Sequence, residues 1–297
     1  MQKPKPQKKL GKKPSALTNL GQTCYLNVIL QMMYFNPILL RYTSAEQGAT
    51  ALIKNLKLFA TLSQSSVQID PKFVLAKLAA HISKSRGAVF IPNTQQDVPE
   101  VLGYILDDIM QVPTVPSNLF TSSVRTCTTC NTCGNYFLTE ENQHIIKLQV
   151  SESIIASLSI FLKEEAFSSQ NLWSCGSCNG LRQSSRRSYF VRTPTILFIQ
   201  LMRFCTDREN NIVKLNGLVR ENRRLSIWEE DGDGVSVRIM YKLTSIVSHS
   251  GNYGSGHYTA QGCDDPSGDI YHCNDTDISK VSTFDMRDVY MLTYRKI

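Results

Sequence analysis

The sequence lacks the apolar segments that place a protein across a membrane. No apolar run in its 297 residues approaches the roughly 20 residues that a membrane-spanning helix needs. No apolar stretch follows the basic start of the chain either, as a secretory signal peptide would require. We therefore expect no membrane partner, and we predict a soluble protein of the nucleus or cytoplasm.

Acidic residues are missing from the first 13 positions, which hold six lysines. The formal net charge of the chain is +7, so the remaining residues carry only 7 − 6 = +1. Because the segment also contains prolines and few apolar residues, we predict a disordered basic tail at residues 1–14. A nuclear-targeting or nucleic-acid-binding segment is the alternative, but the nearly neutral remainder argues against nucleic acid as a partner.

The chain has nine cysteines, an odd number, and five of them are closely spaced, which suits a metal site in a reducing compartment better than disulfides. Two Cys-x-x-Cys pairs, Cys130 with Cys133 and Cys175 with Cys178, can supply four thiolates to a tetrahedral zinc ion. Cys127 makes the first pair ambiguous, but the glycine after Cys133 favours the pair given. Four thiolates leave no open position for a reactive water, so we predict a structural zinc and no catalytic metal.

One isolated cysteine, Cys24, opens the apolar stretch Tyr25 to Phe35, which Asn36-Pro37 closes. This pattern predicts a helix that is buried on most sides. A helix N-terminus lowers the pKa of a thiol and favours the nucleophilic thiolate. Gly21 permits a tight approach, and the amide of Asn19 could donate to an oxyanion. The alternative is an inert buried cysteine at a helix start.

Histidines are few, five in all, which limits the search for a general base. His257 stands at a glycine-flanked strand start, SGHYTA. Asn274 and Asp275 follow a turn at residues 265–268, so a hairpin could bring the amide or the carboxylate beside the imidazole ring. His249 begins the same loop and is a candidate supporting residue.

The secondary-structure pattern is helical first and strand-rich later. Apolar spacing predicts helices at Tyr25–Phe35, from Asp70-Pro71 to about Ser83, and over Gln95–Met110, where Thr94-x-x-Asp97 resembles a capping box. After Arg187 the sequence changes to β-branched and aromatic runs, at 189–191, 196–201, 235–241, 243–247, 257–261 and 289–294. This order predicts an α+β protein.

Four motifs together resemble those of the ubiquitin-specific proteases. The string LTNLGQTCYLNVILQ resembles their cysteine box, QQDVPEVL resembles their QQD segment, and HSGNYGSGHYTA with YHCNDTDISKV resembles their histidine box. YMLTYRK is similar to their closing strand. The motifs stand in the family's order over residues 15–297, and both cysteine pairs lie between the second and the third.

The resemblance implies a catalytic domain at 15–297 with a papain-like cysteine protease fold, which has a helical thumb, a mixed palm and zinc-bearing β fingers at about 121–190. It also implies a deubiquitinating thiol protease that hydrolyses the bond after the C-terminal glycine of ubiquitin in ubiquitinated proteins. By motif match, Cys24 is the nucleophile, His257 the base and Asn274 the third member of the triad. Asp275 supports or replaces Asn274, and Asn19 is the oxyanion donor.

The same resemblance assigns residues to the substrate cleft. Ubiquitin ends in arginines and two glycines, so Asp97 and Glu100 are expected to meet the arginines, and Tyr258 to line a narrow channel with His249 nearby. Helix capping is the alternative role for the two acids. The chain departs from the family at several positions without losing a catalytic group, for example at Gln22, where the family usually has asparagine.

Three further readings stay open. TCYLNVILQMMYFNP and the tryptophan-acidic run around Trp228 resemble a ubiquitin-specific protease that a WD40-repeat protein activates, which implies such a partner. An inactive ubiquitin-binding pseudoenzyme is the alternative to an enzyme, although Cys24 and His257 are intact. A zinc-ribbon nucleic-acid module with a basic arm is the third reading.

Overall fold

The computed structural model describes residues 13–37, 49–86, 90–92, 94–167, 171–230 and 235–297. The basic tail predicted at residues 1–14 falls outside this part of the chain, apart from its last two residues. No helix in the described ranges is long and apolar enough to cross a membrane.

The structure gives bounds for five helices and 18 strands in the described residues. The helices are α1 (Cys24–Phe35), α2 (Ala51–Leu62), α3 (Lys72–Arg86), α4 (Val98–Met110) and α5 (Ile154–Leu162). The strands are β1 (Ala16–Leu17), β2 (Gln68–Ile69), β3 (Ser122–Cys130), β4 (Tyr136–Gln143), β5 (Ile145–Gln149), β6 (Glu165–Phe167), β7 (Trp173–Cys175), β8 (Gly180–Arg182), β9 (Ser184–Arg192), β10 (Ile196–Met202), β11 (Phe204–Thr206), β12 (Ile212–Lys214), β13 (Arg224–Glu230), β14 (Ser236–Asn252), β15 (Ser255–Cys263), β16 (Ile270–Asn274), β17 (Asp277–Val281) and β18 (Val289–Lys296).

The chain divides into two compact units. The first holds the described residues up to Pro116 together with Arg203–Leu218 and Thr244–Thr293. The second holds Ser117–Met202, Val219–Leu243 and Tyr294–Ile297, and therefore includes the segment predicted as fingers.

Helix α1 is the centre of the first unit. Every residue of α1 except Tyr34 is buried, as the apolar run predicted, and the helix ends where Asn36-Pro37 begins. It packs against β15 and α4. Strands β15, β16, β17 and the second half of β14 form an antiparallel meander, so residues distant along the chain from Cys24 can reach the start of α1.

Helix α4 begins three residues later than the predicted Gln95, at Val98. Asp97 is the N-cap residue by position, but its carboxylate makes no capping bond to the described helix. The expected capping box at Thr94 is therefore wrong. The carboxylate instead accepts hydrogen bonds from two tyrosines of the strands, a tertiary interaction that local sequence spacing does not reveal.

The second unit is mainly antiparallel sheet. Strand β3 pairs with β4 and β9, and β9 pairs with β6 and, in parallel, with β13. Strands β5 and β10 form a parallel pair, and β7 and β8 form a short hairpin. The strands predicted separately at 235–241 and 243–247 are one 17-residue strand, β14, since no turn interrupts it at Lys242.

Gly262 in β15 allows the close packing of α1. A Cβ at this position would lie 1.9 Å from Cδ2 of the Phe35 ring. We predict that Gly262→Ala lowers the free energy of unfolding by about 1–3 kcal/mol because of this overlap. Gly103→Ala is the control, since open space surrounds Gly103 within α4 and the change should stabilise the helix by about 0.5–1 kcal/mol. Urea unfolding of both variants measures the difference, and equal stabilities would contradict the packing argument.

Candidate active site

Cys24 is the first residue of α1, and its side chain is buried. The loop before it turns sharply at Gly21, whose φ of +102° suits glycine. The Thr23 hydroxyl faces back into this loop, where it accepts a hydrogen bond from the Leu20 amide at 2.9 Å. The thiol therefore stands at the positive end of the helix dipole, as the sequence predicted.

His257 lies on β15 between Cys24 and the end of β16. Its Nε2 is 2.7 Å from Oδ1 of Asn274. An amide oxygen only accepts, so Nε2 carries the proton and Nδ1 is left for the thiol. The hydrogen bond to Cys24 is the main cause that raises the pKa of His257 to about 9, the bond to Asn274 adds to it, and burial opposes both.

The carboxylate of Asp275 accepts hydrogen bonds from the loop and helix around Cys24, and it lies farther from the imidazole. Its Oδ2 accepts from Asn19 Nδ2 and its Oδ1 from Asn27 Nδ2, both at 2.8 Å. Oδ2 lies 3.9 Å from His257 Nε2, beyond hydrogen-bond distance. The structure thus brings Asn274 to the ring and Asp275 to the asparagines.

Asn19 is held by three hydrogen bonds. Besides donating to Asp275, it accepts at Oδ1 from both the backbone N–H and the hydroxyl of Thr23, each at 3.2 Å. An amide nitrogen carries two hydrogens, and among the described groups only Asp275 accepts one from Asn19.

A cavity of about 430 Å³ in the first unit contains the predicted cleft residues. Its lining residues include Asp97, Glu100, His249, Tyr258, Phe204 and Tyr290. Tyr290 and Tyr258 both donate to Oδ1 of Asp97, at 2.9 and 3.4 Å. The tyrosines and the carboxylate therefore form one fixed wall.

The two remaining residues predicted for the cleft, Glu100 and His249, differ in their exposure to solvent. Glu100 is exposed and accepts from the Tyr104 hydroxyl at 2.5 Å. His249 is 4% exposed, and its ring lies 4.7 Å from that of Tyr258, centroid to centroid. Burial, with a smaller effect of Lys214, lowers the pKa of His249 to about 4, so its imidazole is neutral at neutral pH.

The four predicted ligand cysteines converge in the second unit. The sulfur atoms of Cys130, Cys133, Cys175 and Cys178 all lie within 4.8 Å of one another. Gly134, at φ +73°, makes the turn after the first pair. Cys127 lies outside the cluster, with its sulfur 3.7 Å from the Thr129 hydroxyl. This cluster can bind a metal ion.

Comparison with known families matches residues 15–294 to the family described as "Ubiquitin carboxyl-terminal hydrolase". The chain belongs to this family. It is 28% identical over 295 residues to ubiquitin carboxyl-terminal hydrolase 48 of Gallus gallus and 27% identical over 296 residues to ubiquitin carboxyl-terminal hydrolase 26 of Arabidopsis thaliana. These alignments cover 89% and 90% of the chain but only 28% and 26% of the relatives. The chain thus spans about a quarter of the length of these relatives.

Solved structures share the family fold. The SAGA Ubp8/Sgf11/Sus1/Sgf73 DUB module bound to ubiquitin aldehyde matches with a TM-score of 0.79 at 22% identity, over 95% of this chain and 69% of that chain. The same module bound to monoubiquitin matches with a TM-score of 0.78 at 21% identity, over 100% and 72%. At this identity the likeness shows the fold, which is that of a ubiquitin carboxyl-terminal hydrolase.

Several residues of this family site were not singled out from the sequence. Asn27 stands in the cysteine box, one turn beyond Cys24, and its bond to Asp275 could have been suspected from that spacing. Tyr290 stands in the closing strand, and Phe204 begins β11. Nothing in the local sequence links either aromatic ring to the cleft, because the contact depends on the tertiary fold.

The pKa of His257 is directly measurable. We predict a titration near pH 9 for its ring in NMR spectra, and a lower pKa in Cys24→Ala, which removes the main cause of the shift. Asn274→Ala should lower it less. His249, whose pKa is about 4, is the internal control.

The same shift links pH to stability. Folding raises the pKa of His257 above its ordinary value of about 6.5, so protonation of His257 stabilises the folded state. This contribution is complete below about pH 6.5 and is lost as the pH rises through about 9. An unchanged histidine titration in Cys24→Ala would contradict the assigned contact.

Proposed function

We propose that this chain is a deubiquitinating cysteine protease, in which Cys24 is the nucleophile, His257 the base and Asn274 the residue that orients the ring. The observation that carries the proposal is the position of His257, whose Nε2 lies 2.7 Å from Oδ1 of Asn274 and whose pKa is raised chiefly by Cys24. Family membership supports the reaction class. The intact triad argues against the pseudoenzyme alternative.

The chemistry follows from these contacts. The Cys24 thiolate attacks the carbonyl carbon of the last glycine of ubiquitin, and the C–N bond breaks as protonated His257 gives its proton to the leaving amine. A thioester remains. His257 then takes a proton from water, the resulting hydroxide displaces the thiolate, and ubiquitin leaves with a free carboxylate.

We assign the oxyanion to Asn19 and give Asp275 the task of holding that donor. The carboxylate bonds the Asn19 amide at 2.8 Å, and the second amide hydrogen is left for the charge that develops on the carbonyl oxygen. Because Asp275 is 3.9 Å from His257, its main effect on the reaction is expected to pass through Asn19.

Ubiquitin is the proposed substrate, and the cleft chemistry supports it. Glu100 carries an exposed carboxyl group, the type of side chain that pairs with arginine. Asp97 lines the same cavity, where its carboxylate accepts from two tyrosine hydroxyls whose rings also line it. Structures with this fold that hold ubiquitin aldehyde or monoubiquitin support the same substrate.

Removal of the nucleophile tests the function. Cys24→Ala should abolish hydrolysis of a fluorogenic ubiquitin C-terminal conjugate while ubiquitin still binds, because the cleft is intact. Labelling by a ubiquitin propargyl probe should disappear in the same variant. Cys205→Ala is the control, since Cys205 is an exposed free thiol that should leave labelling unchanged. Residual hydrolysis by Cys24→Ala would contradict the assignment of Cys24 as nucleophile. Failure of the probe to label the parent chain would contradict the proposed enzymatic activity.

We further propose that the cysteine cluster holds one structural zinc ion. Tetrahedral zinc with bonds of about 2.3 Å places sulfur atoms about 3.8 Å apart. The sulfurs of Cys130 and Cys178 are 4.0 Å apart, and those of Cys133 and Cys175 are 3.7 Å apart. Four thiolates on two hairpins would fix the β3–β4 and β7–β8 turns to each other.

Metal analysis tests the zinc proposal. We predict about one zinc ion per chain and loss of folded structure on chelation. Cys178→Ser should lose the metal, whereas Cys127→Ser should keep it, because Cys127 lies outside the cluster. Zinc-free, folded protein, or metal loss from Cys127→Ser with retention in Cys178→Ser, would overturn the ligand assignment.

We also propose that the protein binds a WD40-repeat partner and that it is located in the nucleus or cytoplasm. Trp228 is 53% exposed on β13, opposite Arg238 of β14, and an aromatic–arginine pair of this kind is common at protein interfaces. All nine cysteines lie in the described ranges and none of them forms a disulfide there, which supports a reducing compartment.

A further inference from the structure

Gly256 stands directly before His257. Both its backbone N–H and its backbone carbonyl form hydrogen bonds with one side chain. Gln95 Nε2 donates to the Gly256 carbonyl at 2.6 Å, and the Gly256 N–H donates to Gln95 Oε1 at 2.9 Å. One amide therefore pairs with one peptide unit in the manner of a neighbouring strand.

This pairing fills a gap at the edge of the sheet. Gly256 faces Gly251 of β14, but both of its polar groups point the other way, toward Gln95. On that side β15 pairs with β16, and within the described residues the pairing begins only at Ala260. The Gln95 amide takes the place of the missing strand at the residue before the base.

The strand needs such support because the hairpin that carries His257 is rich in glycine. Gly251 and Gly254 have φ of +104° and +76°. Gly256 itself cannot carry a side chain, since a Cβ would lie 2.3 Å from His249 Nε2 and 2.4 Å from the Ser250 carbonyl oxygen. Backbone hydrogen bonds, and not side-chain packing at Gly256, therefore fix the position of this peptide.

Gln95 is in turn tied to the loop of the nucleophile. Its backbone N–H donates to Gln22 Oε1 at 3.0 Å, and Gln22 stands two residues before Cys24. Three hydrogen bonds thus connect the start of α1, the segment before α4 and the strand of the base. Gln22 is also one of the positions where this chain departs from the family pattern.

We propose that Gln95 is a positioning residue that holds His257 in register with Cys24, and that Gln22 places Gln95. The inference rests on the proposed function, since it assigns a role to the same pair of reacting groups. Gln95 acts through the Gly256 backbone. Its loss should displace the imidazole from the thiol while leaving the Asp97 and Glu100 side of the cleft in place.

Gln95→Met tests the proposal, because methionine keeps the length of the side chain and removes both hydrogen bonds. We expect kcat on a fluorogenic ubiquitin conjugate to fall about 10- to 100-fold with KM changed less than about threefold. Gln22→Met should show the same pattern with a smaller loss. Gln68→Met is the matched control, since the exposed side chain of Gln68 bonds the Thr18 hydroxyl and, among the described groups, neither Gln95 nor Gly256.

A second readout does not require ubiquitin. Iodoacetamide alkylates Cys24 at a rate that depends on the group beside the thiol. This rate is followed on the Cys24 peptide by mass spectrometry, from the ordinary pKa of histidine, about 6.5, to the raised pKa of His257, about 9. Slower alkylation near neutral pH in Gln95→Met supports the proposal, and parental rates overturn it. A loss confined to KM, or an equal loss in Gln68→Met, also overturns it.

The two readouts separate this inference from the proposed function. If the parent chain does not hydrolyse ubiquitin conjugates, the function fails while the alkylation rates still decide the role of Gln95. If Gln95→Met does not fold, Gln22→Met decides, and unchanged kcat and alkylation in that variant overturn the proposal.

Discussion

The site depends on one carboxylate, Asp275, which joins the two ends of the first unit. Its side chain bonds Asn19 before α1 and Asn27 within it, and its backbone carbonyl accepts from Leu17. Hydrogen bonds to a charged group contribute about 1.5–3 kcal/mol each. These bonds connect positions about 250 residues apart in sequence, so they set the distance between the helix of Cys24 and the strand end that carries Asn274.

Features that depend on residues close in sequence were predictable, whereas contacts between residues far apart in sequence were not. The helix of Cys24, the hairpin of His257 and the two Cys-x-x-Cys pairs were predicted from local patterns, and the structure has the helix, the hairpin and a cluster of the four cysteines. The predicted start of α4 was wrong because the Asp97 carboxylate accepts hydrogen bonds from tyrosines of β15 and β18 and does not cap its own helix. Helix α2 was not predicted, although its buried residues Leu52, Leu56 and Phe59 do follow helical spacing.

The predicted site residues also separate by what they touch. Asn274 lies within hydrogen-bond distance of the His257 ring, whereas the nearer partner of Asp275 is Asn19, at 2.8 Å against 3.9 Å for the ring. The turn alone did not distinguish Asn274 from Asp275, since both residues follow it, and only the family resemblance favoured Asn274. The positive φ of Asp275, +52°, turns its side chain away from the path of β16 and toward the asparagines.

Because Asn274 is a neutral amide, the raised pKa of His257 depends mainly on Cys24. A carboxylate at that position would stabilise the imidazolium by charge, but Asn274 is neutral, and the charge of Asp275 is the smallest of the causes that raise the pKa of His257. Cys24 is the largest. The raised pKa of His257 therefore depends chiefly on its hydrogen bond to Cys24, and a small separation of the two side chains weakens that bond. Three neutral amides surround Cys24 and His257, those of Asn19, Asn274 and Gln95. They form hydrogen bonds without adding charge, so they fix the positions of the two side chains and leave the net charge unchanged.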